Sequence, residues 1–133
     1  MAENKLVVPF LKWAGGKRQL MPEIREMLPD GVTTHPYYEP FIGGGALFFE
    51  LLLKRAVIND YNEELINVYT VIRDNPSELI EDLKRHKNTA EYFYKIRAID
   101  RQPLFSNLTR IERASRIIYL NKTCLLYTSD AAD

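Results

Sequence analysis

The sequence predicts an α/β fold: one parallel βαβ unit continued by helices, with fewer strands than a complete doubly wound domain. Two observations carry this. Residues 38–60, YEPFIGGGALFFELLLKRAVIND, read as strand, glycine loop, helix, strand and terminal acid. Parallel strands need such a crossover, and the crossover is right-handed. Beyond this unit the pattern is helical to about residue 122, whereas a doubly wound domain should keep alternating strands with helices. The helices after Asn75 are therefore expected to form an insertion or a second lobe.

The elements follow in order. Residues 7–13 are mostly apolar and are broken by Ala14-Gly15-Gly16, with Lys17 next. Leu20, Met21, Ile24, Met27 and Leu28 have helical spacing, stopped by Pro29 and Gly31. Tyr37, Tyr38 and Phe41 suit a buried strand. Residues 46–54 form an apolar run without a breaker, expected to be a helix, and Ala56-Val57-Ile58 the next strand. Asn62 is expected to cap a helix that turns Leu65, Ile66, Tyr69 and Ile72 inward. Asp74-Asn75-Pro76 ends it. Residues 77–86 read as a helix with Leu79, Ile80 and Leu83 inward, and residues 89–99 as another, carrying Tyr92, Phe93, Ile96 and Ile99. After a connector at residues 102–107, Thr109-x-x-Glu112 is a capping-box pattern that opens a last helix to about Lys122.

Composition narrows the function classes. The chain has 133 residues, 46% of them hydrophobic, enough to bury a core. The longest apolar run falls far short of a membrane span, and nothing resembles a signal peptide. One cysteine, Cys124, excludes an internal disulfide and fits a reducing cytoplasm. With two separated histidines, His35 and His86, no metal site is expected. The net charge of zero hides an asymmetry. Residues 59–82 carry seven acids against Arg73 alone, and residues 84–122 carry ten Lys/Arg against Glu91, Asp100 and Glu112. A basic second half suits a polyanionic partner, although a solvated helix surface gives the same count.

The glycine loop points to a ligand. Gly43, Gly44 and Gly45 between strand and helix let a backbone approach a ligand closely. Asp60 ends the next strand, where a carboxylate can accept bonds from two ribose hydroxyls. A plain glycine turn beside an ordinary acid is the competing account. Gly43 and Gly45 fit the first two positions of the dinucleotide fingerprint, but Phe48 occupies the third. That disfavours an NAD-type dinucleotide-binding oxidoreductase, which stays as an alternative. A Walker A loop also fails, because Leu11 stands where its first glycine belongs. S-adenosylmethionine has no phosphates and asks for a glycine loop and a ribose acid. A non-catalytic DNA-binding module built from the basic helices is the other alternative.

Three segments together resemble a known family. Pro9-Phe10-Leu11-Lys12-Trp13-Ala14-Gly15-Gly16-Lys17, then Glu39-Pro40-Phe41-Ile42-Gly43-Gly44-Gly45, then Ile58-Asn59-Asp60, look like the Dam-type DNA adenine methyltransferases. Leu120-Asn121-Lys122-Thr123-Cys124 resembles that family near its target-recognition region. The resemblance implies an incomplete Rossmann-like class I methyltransferase sheet with a helical target-recognition insertion. It implies methyl transfer from S-adenosylmethionine to the N6 amino group of adenine in duplex DNA, with the base flipped out of the helix. By motif, Trp13, Ala14, Gly15 and Lys17 close over the methionine end of the cofactor. Glu39, Pro40, Phe41, Gly43, Gly44 and Gly45 form the loop beneath it, and Asp60 binds its ribose. Lys17 would pair with the cofactor carboxylate, and Glu39 would receive its amino group or cap the loop. Trp13 and Phe41 would serve equally as core residues. Arg110, Arg113, Arg116, Asn121 and Lys122 are the DNA-facing candidates; some of the basic residues could instead pair with Glu112 or face solvent. A cytoplasmic monomer without metal, in a restriction-modification, regulatory or repair role, is the expectation, and GATC is the family's usual site.

The family's catalytic D-P-P-Y motif does not occur in these 133 residues, so no catalytic residue is assigned. The expected division is residues 1–74 for cofactor binding, 75–124 for the helical part of target recognition, and 125–133 as a non-native tail. That tail departs from the family's continuation and resembles translated sequencing adapter, so the native sequence is expected to run on past Cys124.

Overall fold

The computed structural model describes residues 7–128. Two compact units divide the chain, Met1–Tyr61 and Asn62–Asp133. The sequence reading placed its division later, at 74/75.

The first unit is built on the βαβ motif. Strand β1 (Tyr37–Glu39) pairs in parallel with β2 (Ala56–Ile58), in the register Tyr37 with Ala56, Tyr38 with Val57 and Glu39 with Ile58. A single 3₁₀ turn (Lys17–Leu20) leads into helix α1 (Met21–Met27), so the helix read from residue 18 starts tighter than a regular one. The crossover helix α2 (Ala46–Leu51) stops short of the expected residue 54. Leu52 adopts φ +46°, a left-handed conformation, while its N–H closes the last turn on the Phe48 carbonyl at 3.1 Å. A leucine there costs of the order of 1 kcal/mol or more, held by the need to turn the chain back into β2.

The expectation of a buried first strand is corrected. Tyr38 and Phe41 are 67% and 70% exposed. Side chains alternate along a strand, so the register places Tyr38 and Val57 on the same face, and both are exposed. The opposite face carries Glu39, which is buried. The core of this unit is instead Leu11, Met21, Ile42 and Leu47, with Phe49 edge-on to Phe10 and Phe48.

The second unit is helical among the described residues: α3 (Glu63–Asp74), α4 (Pro76–Leu83), α5 (Ala90–Arg97) and α6 (Arg110–Thr128). Helix α6 packs against the other three. Its tight centre is Ala114 and Ser115, both fully buried, where small side chains let neighbouring helices approach. Leu65, Val68, Tyr69 and Val71 form the buried face of α3. Ile66 and Ile72, expected inward, are only half-buried. Ile80 is 53% exposed, not inward, whereas Leu79 is buried as expected. Phe93, Ile96 and Tyr119 form a further cluster.

Capping follows the sequence closely. The Asn62 side chain accepts from the N–H groups of Glu64 and Leu65, at 3.0 and 3.2 Å. Thr109 and Glu112 form a complete capping box: the Glu112 N–H donates to Thr109 Oγ1 at 3.2 Å, and the Thr109 N–H to Glu112 Oε2 at 2.8 Å. Helix α3 belongs with α6 through reciprocal bonds. Asn67 Nδ2 donates to the Arg110 carbonyl at 2.8 Å, and Arg110 Nε donates to Asn67 Oδ1 at 3.2 Å. Helix α6 runs past the expected Lys122 and takes in 125–128 of the segment read as a non-native tail; residues 129–133 lie outside the described residues. The Tyr127 hydroxyl donates to Asn88 Oδ1 at 2.6 Å, and its ring lies 5.2 Å from that of Phe93.

Candidate functional site

The glycine loop leaves β1 at its carboxyl end, where ligands of open parallel sheets bind. The Asn59 N–H donates to the Glu39 carbonyl at 2.8 Å, and the Ile42 N–H to the Asn59 carbonyl at 2.9 Å. The ladder thus continues past both strands and sets the loop against the end of β2. The Gly43 N–H then donates to Asp60 Oδ2 at 3.0 Å, so the first glycine and the acid meet. Gly43 and Gly45 have φ +52° and +79°, which a side chain would strain. Gly44 is needed for space: a Cβ there would lie 3.1 Å from the Leu11 carbonyl oxygen and 3.5 Å from Trp13 Cβ. Trp13 Cδ1 lies 3.6 Å from where a Gly43 Cβ would be. The loop and the Leu11–Trp13 backbone are therefore in close contact, and the two expected cofactor segments are adjacent. Ala14, Gly15 and Pro40 are exposed, and Gly15 turns the segment at φ +72°.

The buried end of this site is ionic. Glu39 is 4% exposed; its Oε1 accepts from Lys17 Nζ at 3.1 Å and its Oε2 from the Tyr37 hydroxyl at 2.9 Å. Lys17 Nζ also donates to the Phe41 carbonyl. Burial, with the Glu39 carboxylate as acceptor and neighbour, pushes the Tyr37 phenol above its ordinary range, so it stays a donor. The sequence reading had aimed Lys17 and Glu39 separately at a cofactor; here they bind each other. Tyr37 was missed as a site residue, because its partner two positions on is visible only once the strand alternation is fixed.

The residues fit an adenosine-type cofactor with an amino-acid end. Gly44 has no room for a side chain and Gly43 and Gly45 take positive φ, Asp60 stands at the neighbouring strand end, and a buried carboxylate with its partner ammonium lies beside them. Phe48 lies on α2, half-buried with its ring 5.1 Å from Phe49, and so occupies the helix face that a dinucleotide loop leaves to glycine.

The basic helix departs from a simple phosphate-binding face. Arg116 is 6% exposed; its Nε donates to the Ile96 carbonyl and its Nη2 to the Arg97 carbonyl, each at 2.9 Å, with Asp100 at 3.4 Å. It satisfies the carbonyl end of α5 and departs from the expected phosphate contact. Arg113 forms a two-nitrogen pair with Glu64 and lies over the Phe105 ring, 4.6 Å from its centroid. Its expected alternative partner, Glu112, pairs instead with Arg85 at 3.7 Å. Arg110 and Lys122 are exposed, and Asn121 is half-buried. The charge asymmetry of the sequence is thus partly cancelled in the fold.

His86, just past α4, links α5 and α6: Nδ1 lies 2.9 Å from the Tyr92 hydroxyl, Nε2 lies 2.8 Å from Ser115 Oγ, and the ring stacks on Tyr119 at 4.5 Å. Among the described residues no group of three His, Cys, Asp or Glu is placed to hold a metal, and no helix is long and apolar enough to cross a membrane.

A glycine loop tied to an acid across two parallel strands defines an α/β unit. A family model for D12 class N6 adenine-specific DNA methyltransferases matches residues 13–130, and the chain belongs to that family. It is 48% identical over 123 residues to a type II methyltransferase of Lactococcus lactis subsp. cremoris, covering 90% of this chain and 43% of that protein. A type II methyltransferase of Methanocaldococcus jannaschii is 37% identical over 134 residues, covering 89% and 46%. A DNA adenine methylase of Haemophilus influenzae is 34% identical over 119 residues, covering 86% and 40%. The chain spans less than half the length of these relatives.

Proposed function

We propose that this chain is the methyl-donor-binding part of a cytoplasmic, monomeric enzyme that transfers a methyl group from S-adenosylmethionine to adenine N6 in duplex DNA. The observation that carries the reading is the Gly43–Asp60 bond beside the half-buried Lys17–Glu39 pair. It supports Asp60 as the ribose acceptor, Gly43, Gly44 and Gly45 as the close-approach wall, and Trp13 with Phe41 as apolar surfaces. The bound cofactor supplies a methyl group on a sulfonium. The chain's own residues orient the donor: Lys17 and Glu39 take its charged end and Asp60 its ribose. Trp13, Ala14 and Gly15 close over it, and Pro40 fixes the loop entry. Among the expected DNA-facing residues, exposure favours Arg110 and Lys122 for phosphate, with Asn121 beside them. The D-P-P-Y motif does not occur in these 133 residues, so no residue is assigned to hold the acceptor.

Titration calorimetry with S-adenosylmethionine and with NADH tests the reading. Binding of the first and not the second is expected. Asp60→Ala should weaken it about 10- to 100-fold, the cost of losing a hydrogen bond to a charged group. NADH binding without S-adenosylmethionine binding would favour the oxidoreductase reading. DNA binding indifferent to the donor and to Asp60→Ala would favour the non-catalytic module.

A further inference from the structure

We propose that Lys17 and Glu39 act as an exchangeable ion pair that selects for the zwitterionic end of the donor and weights its two charges unequally. The inference rests on the donor-site reading above and goes beyond it. In the structure each group neutralises the other, at 3.1 Å. A ligand carrying both an ammonium and a carboxylate breaks that one pair and makes two: its ammonium replaces Lys17 on Glu39, and its carboxylate takes the released Lys17. Tyr37 keeps Glu39 Oε2 throughout, so the carboxylate that receives the ligand is held in place by a bond the exchange does not touch. The Phe41 carbonyl likewise keeps the Lys17 ammonium at the loop.

The two halves of the exchange differ in burial. Glu39 is 4% exposed and Lys17 33%. A ligand lacking the carboxylate leaves Lys17 to the Phe41 carbonyl and water, and losing such a partly exposed pair costs up to about fivefold in affinity. A ligand lacking the ammonium can draw Lys17 away only by leaving the buried Glu39 carboxylate without a counter-charge, its Tyr37 bond alone remaining, which costs about 30-fold or more. The ammonium is therefore the stronger determinant, although both charges sit on the same small group.

The test is calorimetry on this chain with S-adenosylhomocysteine, its decarboxylated form and its deaminated form. The expected order is parent, then decarboxylated within about fivefold, then deaminated weaker by about 30-fold or more. Equal losses for the two analogues, or the reverse order, would overturn the inference while leaving the donor site standing. Failure of the parent compound to bind would overturn the donor-site reading, and the inference with it. In Lys17→Met, parent and decarboxylated forms should bind within about twofold of each other, because the carboxylate has lost its partner. A preference for the parent that survives in this variant would overturn the exchange. Should the variant fail to fold, the ligand series on the unaltered chain decides alone.

Discussion

At the residue scale, the site depends on what is missing from side chains as much as on what is present. Gly44→Ala places a methyl 3.1 Å from the Leu11 carbonyl. It should destabilise the first unit by about 1–3 kcal/mol, the usual cost of overpacking, read by urea denaturation, and should weaken donor binding with it. His86 gives a pH dependence of known sign. Burial is the main cause that lowers its pKa; Asp82 opposes this and Arg85 adds to it. The folded state thus prefers the neutral ring. The contribution is complete above the ordinary value of about 6.5 and is lost as pH falls through the lowered folded value. Denaturation midpoints should therefore drop as pH falls below about 6.5, and His86→Gln should flatten that part of the profile. A midpoint that stays level in the unaltered chain would refute this. The glycines and Asp60 were legible in the sequence because their roles are backbone conformation and strand-end position. The Lys17–Glu39–Tyr37 triplet was not, because its members are brought together by strand alternation and a turn.

At the element scale, chain punctuation was read well and inward faces less well. Asn62, Thr89 and the Thr109–Glu112 box mark helix starts that the structure keeps, whereas Pro76, read as part of a helix stop, is the first residue of α4. Asn62→Ala should cost about 1 kcal/mol, measurable as a lowered denaturation midpoint of the second unit, since two N–H groups lose their acceptor. The faces were harder. Ile66, Ile72 and Ile80 are as apolar as the residues buried beside them, so periodicity alone cannot decide which of two adjacent stripes meets α6. The early stop of α2 was also hidden. Leu52 and Leu53 are good helix formers, and the left-handed residue that ends the helix is imposed by the crossover.

For the whole molecule, the sequence separates acids from bases and the fold partly reunites them. Glu64 meets Arg113, Asp82 meets Arg85 and Glu81 meets Lys84. Four basic residues of the last helix read from the sequence as phosphate contacts, which would give a salt slope near about −3.6. With Arg113 and Arg116 committed inside the unit, DNA binding by this chain should show a slope near about −2 in log affinity against log salt. A slope steeper than about −3 would mean that those arginines leave their partners to reach DNA.

The placement of α6 has a consequence for synthesis on the ribosome. The βαβ segment carries its strand pairing within about two dozen residues and can close as soon as it emerges. Helices α3, α4 and α5 reach the outside first but find their shared packing partner only when α6 follows. Asn67 waits 43 residues for Arg110, and Glu64 waits 49 for Arg113. The second unit is therefore made in one order and assembled in another. Its apolar faces stay uncovered until the last helix has left the exit tunnel, the interval in which a nascent chain most needs a chaperone.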